Sequence, residues 1–215
     1  MLIKSLENGD QIYEKLKLEL RDLPGEDSHV EMFPGRGRSS EALKNASYYK
    51  KSAVLALLYL QDDVLHGILT ERQSYKGNHS GQMSFPGGKM EAIDLTPKET
   101  ALRETEEEIG VDQNSIRILG NLTDVYIPVS NYLVHPYVGF VEQKPETIKE
   151  EREVKSIIHF PISELMDDSN RIITSIDVSN GMRLKNIHAF TIQQKIVWGA
   201  TALMCNELRY ILQRL

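Results

Sequence analysis

The spacing of apolar residues predicts a sheet-forming chain with a few helices. Residues 10–21 carry apolar side chains at helical spacing, which predicts an amphipathic helix that packs on the rest of the chain. Residues 23–40 are rich in proline and glycine, which favours an irregular connection. Residues 1–50 are therefore expected to form a helical and irregular N-terminal extension.

After residue 50 the pattern becomes that of strands. Residues 52–60 form a continuous apolar run and 64–70 follow across three polar residues, which predicts two strands joined by a turn. Further strands are predicted at 115–126, 132–141, 154–160, 172–178 and 182–190. Helices are predicted at 97–109, 161–167 and 194–213. The alternation indicates an α/β protein, and the length favours a single domain over residues 1–215.

Composition narrows the class of protein and of partner. The chain is 40% hydrophobic and 26% charged, as in ordinary globular proteins, and its longest apolar run, 53–60, is too short to cross a membrane. One cysteine, Cys205, and the lack of a secretory signal pattern predict a cytoplasmic protein. The net charge of -6 argues against a nucleic-acid partner. A polyanionic small substrate would need local cations or a metal.

The best specified helix carries acid at its unfavourable end. Thr96, Pro97 and Glu99 combine a capping box with proline at the first helical position, and Gly110 supplies the stop. Residues 103–108 (RETEEE) place four carboxylates beside the negative end of the helix dipole. If nothing compensates it, this arrangement costs roughly 1–2 kcal/mol. We therefore expect another group or an ion to compensate this cost.

Three of these carboxylates share one face. At helical spacing Glu104, Glu107 and Glu108 fall within a sector of roughly 100°, whereas Glu106 points away. Converging carboxylates suit a hard cation such as Mg²⁺ or Mn²⁺. The alternative is an acidic face that is simply solvated, and the helix alone does not decide between the two.

A glycine loop upstream favours the metal site. Two successive glycines, Gly87 and Gly88, allow a backbone to approach a ligand closely. The segment 88–111, GKMEAIDLTPKETALRETEEEIGV, resembles the box of the Nudix hydrolases, whose core Arg-Glu-x-x-Glu-Glu-x-Gly is matched by residues 103–110.

The resemblance implies an enzyme that cleaves a pyrophosphate bond with Mg²⁺ or Mn²⁺. It implies the Nudix fold, an α/β/α sandwich with a mixed central sheet and a catalytic loop-helix-loop. Carried over by position, Glu104 and Glu108 would be the principal metal ligands, and the Gly88 carbonyl would add a ligand. Glu107 would share in metal binding or in water activation, and Arg103 would orient the carboxylates.

One departure from the usual box points to a branch of the family. The box has Glu six residues after its first glycine and Arg fourteen after it. In this chain Asp94 stands where the box has that Glu, and Arg103 lies fifteen residues after Gly88. The role of Asp94 is thereby open. The extra residue is similar to the CoA pyrophosphatases, and so is the upstream sequence, since 69–72 (LTER) and 79–88 (HSGQMSFPGG) resemble the signature that precedes the box in that branch.

Three residues near the box are candidates for substrate binding: Arg72, His79 and Lys89. Arg72, at a strand end, could bind phosphate through a bidentate contact, or it could only pair with a nearby carboxylate. His79 could touch the substrate or could brace the glycine loop. Glu150, Glu151 and Glu153 precede a predicted strand, so one of them could add a catalytic carboxylate from a loop over the site, or all three could be a solvated charge run.

The sequence therefore yields one leading hypothesis and two rivals. The leading hypothesis is hydrolysis of CoA or acyl-CoA, a small-molecule nucleotide substrate, to adenosine 3′,5′-bisphosphate and 4′-phosphopantetheine or its acyl derivative. One rival is an enzyme for ADP-ribose or a dinucleotide, against which the signature at 69–88 argues. The other is a non-catalytic module that binds nucleotides, which would have no evident reason to keep so costly a cluster. The resemblance also makes a homodimer a reasonable expectation.

Overall fold

Helices and strands are mixed along the chain, as the α/β prediction requires. The structure, a computed structural model, describes residues 9–73, 81–178 and 181–215. The helices are α1 (Gly9–Glu19), α2 (Glu26–Met32), α3 (Ser39–Lys44), α4 (Pro97–Ile109), α5 (Ile162–Met166) and α6 (Gly199–Leu212). The strands are β1 (Lys50–Gln61), β2 (Val64–Arg72), β3 (Met83–Ser84), β4 (Gly87–Lys89), β5 (Arg117–Asn121), β6 (Val125–Ile127), β7 (Tyr132–Val141), β8 (Val154–Pro161), β9 (Arg171–Asp177), β10 (Arg183–Ile192) and β11 (Lys195–Val197). In the described part of the chain, no helix has the length and apolar character needed to span a membrane.

A mixed sheet lies at the centre of the fold. Within the described ranges it has eight strands, in the order β3-β2-β1-β7-β5, with β4 paired to β1, β6 to β7 and β8 to β2. The strands β1 and β7 run parallel, from Lys50 opposite Tyr132 to Tyr59 opposite Val141, and the other pairs are antiparallel. The strands β11, β10 and β9 form a separate antiparallel sheet in that order.

Strand β1 is apolar throughout its middle because both of its faces are buried. On one face it packs against α4, in a cluster that includes Leu55, Leu57, Tyr59, Ala101 and Ile109. On the other face Ala56 and Leu58 join a larger cluster that contains side chains of α1, α6 and β10. Helices therefore cover both faces of the mixed sheet, as the sandwich predicted by resemblance requires.

The N-terminal helix packs into this larger cluster. Ile12 and Leu16 of α1 are buried there, together with Leu208 of α6 and Phe140 of β7. Burial of a leucine side chain contributes on the order of 1.5–3 kcal/mol to folding, so the fully buried Leu16 stabilises the packing of α1 on the sheet. The helix predicted at 10–21 is present and ends slightly earlier.

The predicted irregular stretch at 23–40 instead contains α2 and the start of α3. Helix α2 is held by a tertiary contact, because the buried His29 ring lies 3.1 Å from a carboxylate oxygen of Glu207 in α6. Local sequence signals do not reveal that contact. The prediction of irregular structure was wrong there for that reason.

Two other boundaries differ from the predictions. The predicted helix at 194–213 begins only at Gly199, because Gln193 and Gln194 adopt positive φ angles of 48° and 63° and turn the chain back into β11. Such turns usually carry Asn-Gly, so the Gln-Gln pair gave no warning. The predicted strand at 115–126 is divided into β5 and β6.

Candidate active site

Helix α4 has the bounds that the sequence predicts. The Thr96 hydroxyl oxygen accepts a hydrogen bond from the Glu99 N–H at 3.3 Å, and Pro97 is the first helical residue. At the other end Gly110 adopts a left-handed conformation with φ of 73°, which stops the helix. These two caps set the ends of α4, and the packing of Ala101 and Ile109 against β1 sets the face that meets the sheet.

Three carboxylates converge beside the last two turns of α4. Glu104 and Glu108 project from the helix and Glu153 comes from the loop before β8, and one oxygen of each lies within 4.8 Å of the others. The Glu108 side chain is only 3% exposed. Burial raises the pKa of Glu108 to about 7. Burial also raises the pKa of Glu104, and repulsion from neighbouring carboxylates adds to that effect.

The backbone of β4 packs directly against these carboxylates. The Gly87 N–H donates a hydrogen bond to Oε2 of Glu108 at 3.2 Å. A Cβ atom at Gly88 would lie only 2.3 Å from Oε2 of Glu104. A side chain at position 88 would therefore displace the Glu104 carboxylate, and glycine lets the backbone approach it closely, as expected for a loop that contributes backbone atoms to a site.

Arg103 links the acidic face to the loop that precedes the helix. Its Nε and Nη2 atoms donate to the two oxygens of Asp94, both at 2.9 Å. Its guanidinium also contacts Glu104 at 3.0 Å and Glu107 at 2.8 Å. Hydrogen bonds from Arg103 lower the pKa of Asp94 far below its ordinary value. The sequence left the role of Asp94 open, and in the structure its carboxylate holds Arg103 in place.

The donor set fits a hard divalent cation. Carboxylate oxygens are the ligands that Mg²⁺ and Mn²⁺ prefer, and here two of three carboxylates are largely withdrawn from water. The raised pKa values of Glu104 and Glu108 mean that the nearby arginines do not fully offset burial and, to a lesser extent, the repulsion between neighbouring carboxylates. The cluster also borders a cavity of about 380 Å³ lined by Glu107, Glu108, Glu150 and Glu153.

Comparison with known proteins decides the family. Residues 50–175 match the family described as NUDIX domain. A protein of Photorhabdus laumondii named "Uncharacterized Nudix hydrolase NudL" is 32% identical over 141 residues, which cover 66% of this chain and 74% of that protein.

The chain belongs to the Nudix family.

Solved Nudix structures share its fold. The crystal structure of RenU, a Nudix hydrolase of M. smegmatis, matches with a TM-score of 0.53 at 13% identity and covers 78% of this chain and 88% of that one. A MutT/nudix family protein of Enterococcus faecalis matches with a TM-score of 0.52 at 14% identity and covers 89% and 76%. These likenesses confirm the predicted α/β fold with a mixed central sheet.

Family membership confirms the reaction class. The chain is a Nudix pyrophosphohydrolase, and Nudix hydrolases act with divalent metal ions on nucleotide-like small molecules. The acidic helix carries a candidate cation site, at which a bound ion would offset its electrostatic cost. The acidic face of α4 was interpreted either as a cation site or as a solvated surface, and the burial of Glu104 and Glu108 favours the cation site.

Two predicted residues lie at the edge of the cluster. Glu107 is 59% exposed and pairs with Arg103, and the group of three converging carboxylates does not include it. Lys89 is exposed at the end of β4, where its carbonyl oxygen accepts from Arg103 at 3.3 Å. The catalytic role of Glu107 and the substrate-binding role of Lys89 stay predictions. Glu106, as expected, turns away and accepts a hydrogen bond from Gln113.

The other two substrate-binding candidates belong to the segment upstream of the box. Arg72 lies at the end of β2 with Nη1 3.5 Å from Oε1 of Glu108. This is the carboxylate contact expected by one of the two interpretations, and it also places the guanidinium beside the cluster, where it could meet a phosphate. His79 lies outside the described residues, so its role stays a prediction.

Glu153 is the carboxylate that sequence reasoning could not single out. Three acidic residues precede β8, but the carboxylate of Glu151 pairs with Lys149 at 2.9 Å, and that of Glu150 accepts a hydrogen bond from the Arg152 N–H at 3.2 Å and lines the cavity wall. The acid-rich loop was a usable signal for a further carboxylate. Which of the three reaches the cluster depends on the backbone path of the loop.

Proposed function

We propose that this Nudix enzyme hydrolyses the pyrophosphate bond of coenzyme A or acyl-CoA. The products are adenosine 3′,5′-bisphosphate and 4′-phosphopantetheine or its acyl derivative. The observation that carries the proposal is the sequence at 69–88, which resembles the signature of the CoA pyrophosphatases. Its described ends support it, because Arg72 and Gly88 both lie against the acidic cluster.

The metal would be held by the converging carboxylates. Glu104, Glu108 and Glu153 would bind Mg²⁺ or Mn²⁺, and the Gly88 carbonyl would add a ligand from the neighbouring strand. When bound, the ion neutralises the pyrophosphate oxygens and lowers the pKa of a water molecule.

The remaining groups of the site bind, orient and accept a proton. Arg72 would donate to a phosphate oxygen, since it is a partly exposed cation beside the cluster. Arg103, fixed by Asp94, would keep the carboxylates of Glu104 and Glu107 in position. The water oxygen forms a bond to phosphorus as the bridging P–O bond breaks, and the departing phosphate takes the electron pair. Glu107 would accept the proton of the water or serve as a further ligand.

The test compares four substrates side by side. CoA, acetyl-CoA, ADP-ribose and NADH are incubated with Mg²⁺ or Mn²⁺ and wild-type enzyme, Glu108→Gln or Glu106→Gln. We expect adenosine 3′,5′-bisphosphate from CoA with wild type and with Glu106→Gln, whose carboxylate lies off the cluster, and none with Glu108→Gln. Faster turnover of ADP-ribose or NADH would overturn the CoA assignment alone. No turnover of any substrate would favour the nucleotide-binding module.

Three proposals concern the chain as a whole. We propose that residues 1–215 form one domain, which the packing of α1 into the cluster shared by α6 and β7 supports. We propose a cytoplasmic location, in keeping with the one cysteine, Cys205, which is buried and has its pKa raised to about 12 by that burial. We also propose a homodimer by family resemblance, which light scattering of the purified protein would test.

A further inference from the structure

The loop that carries Glu153 comprises residues 142–153, and its second half is anchored to the end of α4. The Ile148 N–H donates to the Ile109 carbonyl oxygen at 2.9 Å, and the Glu150 N–H donates to the Glu108 carbonyl oxygen at 3.0 Å. These bonds satisfy carbonyls that the helix end would otherwise leave free. They bring the loop to the acidic face, and the Glu153 and Val154 N–H groups then donate to the Glu150 carbonyl oxygen at 3.2 and 2.8 Å.

Residues 151–153, at the end of the loop, are also held by Gln73, the residue after β2. The Gln73 N–H donates to the Glu153 carbonyl oxygen at 2.8 Å. The side-chain Nε2 of Gln73 donates to the Glu151 carbonyl oxygen at 2.9 Å. One residue thus binds the backbone on either side of Arg152, next to the position from which the Glu153 side chain departs.

Glu153 needs such a restraint because its surroundings repel it. Its carboxylate lies within 4.8 Å of those of Glu104 and Glu108, and like charges at this separation disfavour one another. Glu153 is also exposed, so its side chain could turn toward water. In the described part of the chain nothing donates a hydrogen bond to its carboxylate, so the position of that carboxylate depends on the loop backbone.

We propose that Gln73 is a positioning residue of the active site, which holds the 151–153 backbone so that the Glu153 carboxylate reaches the metal site formed with Glu104 and Glu108. The proposal rests on the metal role of Glu153 given above. It does not depend on CoA being the substrate. Gln73 does not touch the metal or the substrate and acts only through the loop.

The first measurement is direct Mn²⁺ binding, followed by the EPR signal of the free ion. Gln73→Ala and Gln73→Met both remove the side-chain Nε2 donor to Glu151 and keep the backbone N–H that donates to Glu153, and the second variant keeps the length of the side chain. We expect either variant to bind Mn²⁺ about tenfold more weakly than wild type, as is typical when a residue behind a metal ligand is removed. The matched control is Gln113→Ala, whose amide donates at the same 2.9 Å distance to the Glu106 carboxylate, and its Mn²⁺ affinity should not change.

A double-mutant cycle distinguishes positioning from a general loss of stability. Glu153→Gln alone should also weaken Mn²⁺ binding, and adding Gln73→Met to Glu153→Gln should change the affinity less than twofold. In steady-state assays, Gln73→Met should raise the Mn²⁺ concentration for half-maximal rate and leave the substrate KM unchanged.

Three outcomes would overturn the proposal. They are wild-type Mn²⁺ affinity in Gln73→Met, wild-type affinity in Glu153→Gln, or a full tenfold loss when Gln73→Met is added to Glu153→Gln. Failure of wild type to cleave CoA would leave these binding results unaffected, so the two proposals fail separately.

Discussion

Arg103 and Asp94 form a bidentate ion pair. The Nε atom of Arg103 lies 2.9 Å from Oδ1 of Asp94, and its Nη2 atom lies 2.9 Å from Oδ2. Asp94 is itself fixed by hydrogen bonds from the Thr100 hydroxyl at 3.0 Å and the Glu91 N–H at 2.9 Å. A buried carboxylate with so many donors holds the guanidinium at one position. The unusual aspartate of this Nudix box is therefore part of the support for the acidic face.

Removing the charge of Asp94 should loosen that support. Asp94→Asn keeps the shape of the side chain but loses the ion pair, and breaking a largely buried pair should cost about 2–3 kcal/mol of unfolding free energy. We expect the rate of substrate hydrolysis to fall as well, since Arg103 would no longer orient Glu104. Urea denaturation and initial rates check both effects. Asp94→Glu, which restores a carboxylate, should recover part of each, and wild-type stability in Asp94→Asn would contradict the assignment.

A methyl group at position 88 should damage the site more than the fold. In Gly88→Ala the new Cβ would meet Oε2 of Glu104 at 2.3 Å, so that carboxylate must move. Displacing a metal ligand should lower kcat/KM by roughly 100-fold or more, in line with the sensitivity of catalysis to 1 Å errors. Gly35→Ala is the matched control, because a Cβ there meets nothing within 4 Å. Equal activity of the two variants would show that Glu104 is not needed where it lies.

Helix α4 could be predicted from sequence because its signals are local. Thr96 and Gly110 cap it within the chain segment that forms it, and the position of each glutamate on its face follows from helical geometry. The Nudix box then gave the chemistry of that face. Fold class followed in the same way from apolar runs such as that of β1, which is buried on both sides.

The features that could not be predicted depend on contacts distant in sequence. Helix α2 is stabilised by the contact of His29 with Glu207, which no local pattern encodes. The choice of Glu153 over its acidic neighbours depends on the backbone path of the loop, which is hydrogen-bonded to α4 and to Gln73. A glutamine that follows a strand, such as Gln73, gives no signal in the sequence. Its contact with the loop is visible only in the structure.

The ion cluster around Glu71 should make stability depend on acid pH. Burial raises the pKa of Glu71, but hydrogen bonds from Lys155, Lys195 and Ser156 outweigh burial and lower the pKa from 4.5 to about 2. Because the folded pKa is the lower one, the stabilisation is complete above pH 4.5 and is lost as the pH falls toward 2. Since both lysines are partly exposed, we expect only about 1 kcal/mol from the cluster.

Unfolding in urea at several pH values checks this contribution. Wild type should exceed Glu71→Gln in unfolding free energy at pH 7, and the difference should shrink as the pH drops below 4.5, the ordinary pKa of the carboxyl group. Added salt should also reduce the difference at pH 7, because exposed ion pairs are screened. A difference that grows on acidification would contradict the assignment.

The Arg72→Ala variant distinguishes phosphate binding by Arg72 from simple charge pairing with Glu108. If its guanidinium binds the pyrophosphate, Arg72→Ala should raise the substrate KM and lower kcat/KM by roughly 100-fold at saturating Mn²⁺, since a charge-assisted contact is lost. If it only pairs with Glu108, from which it lies 3.5 Å away, its loss should leave KM unchanged. In both cases Mn²⁺ binding should be equal or tighter, because a competing cation has been removed from Glu108. The matched control is Arg183→Ala, which removes an exposed arginine paired with Asp177 on the separate sheet and should leave KM and Mn²⁺ affinity at their wild-type values.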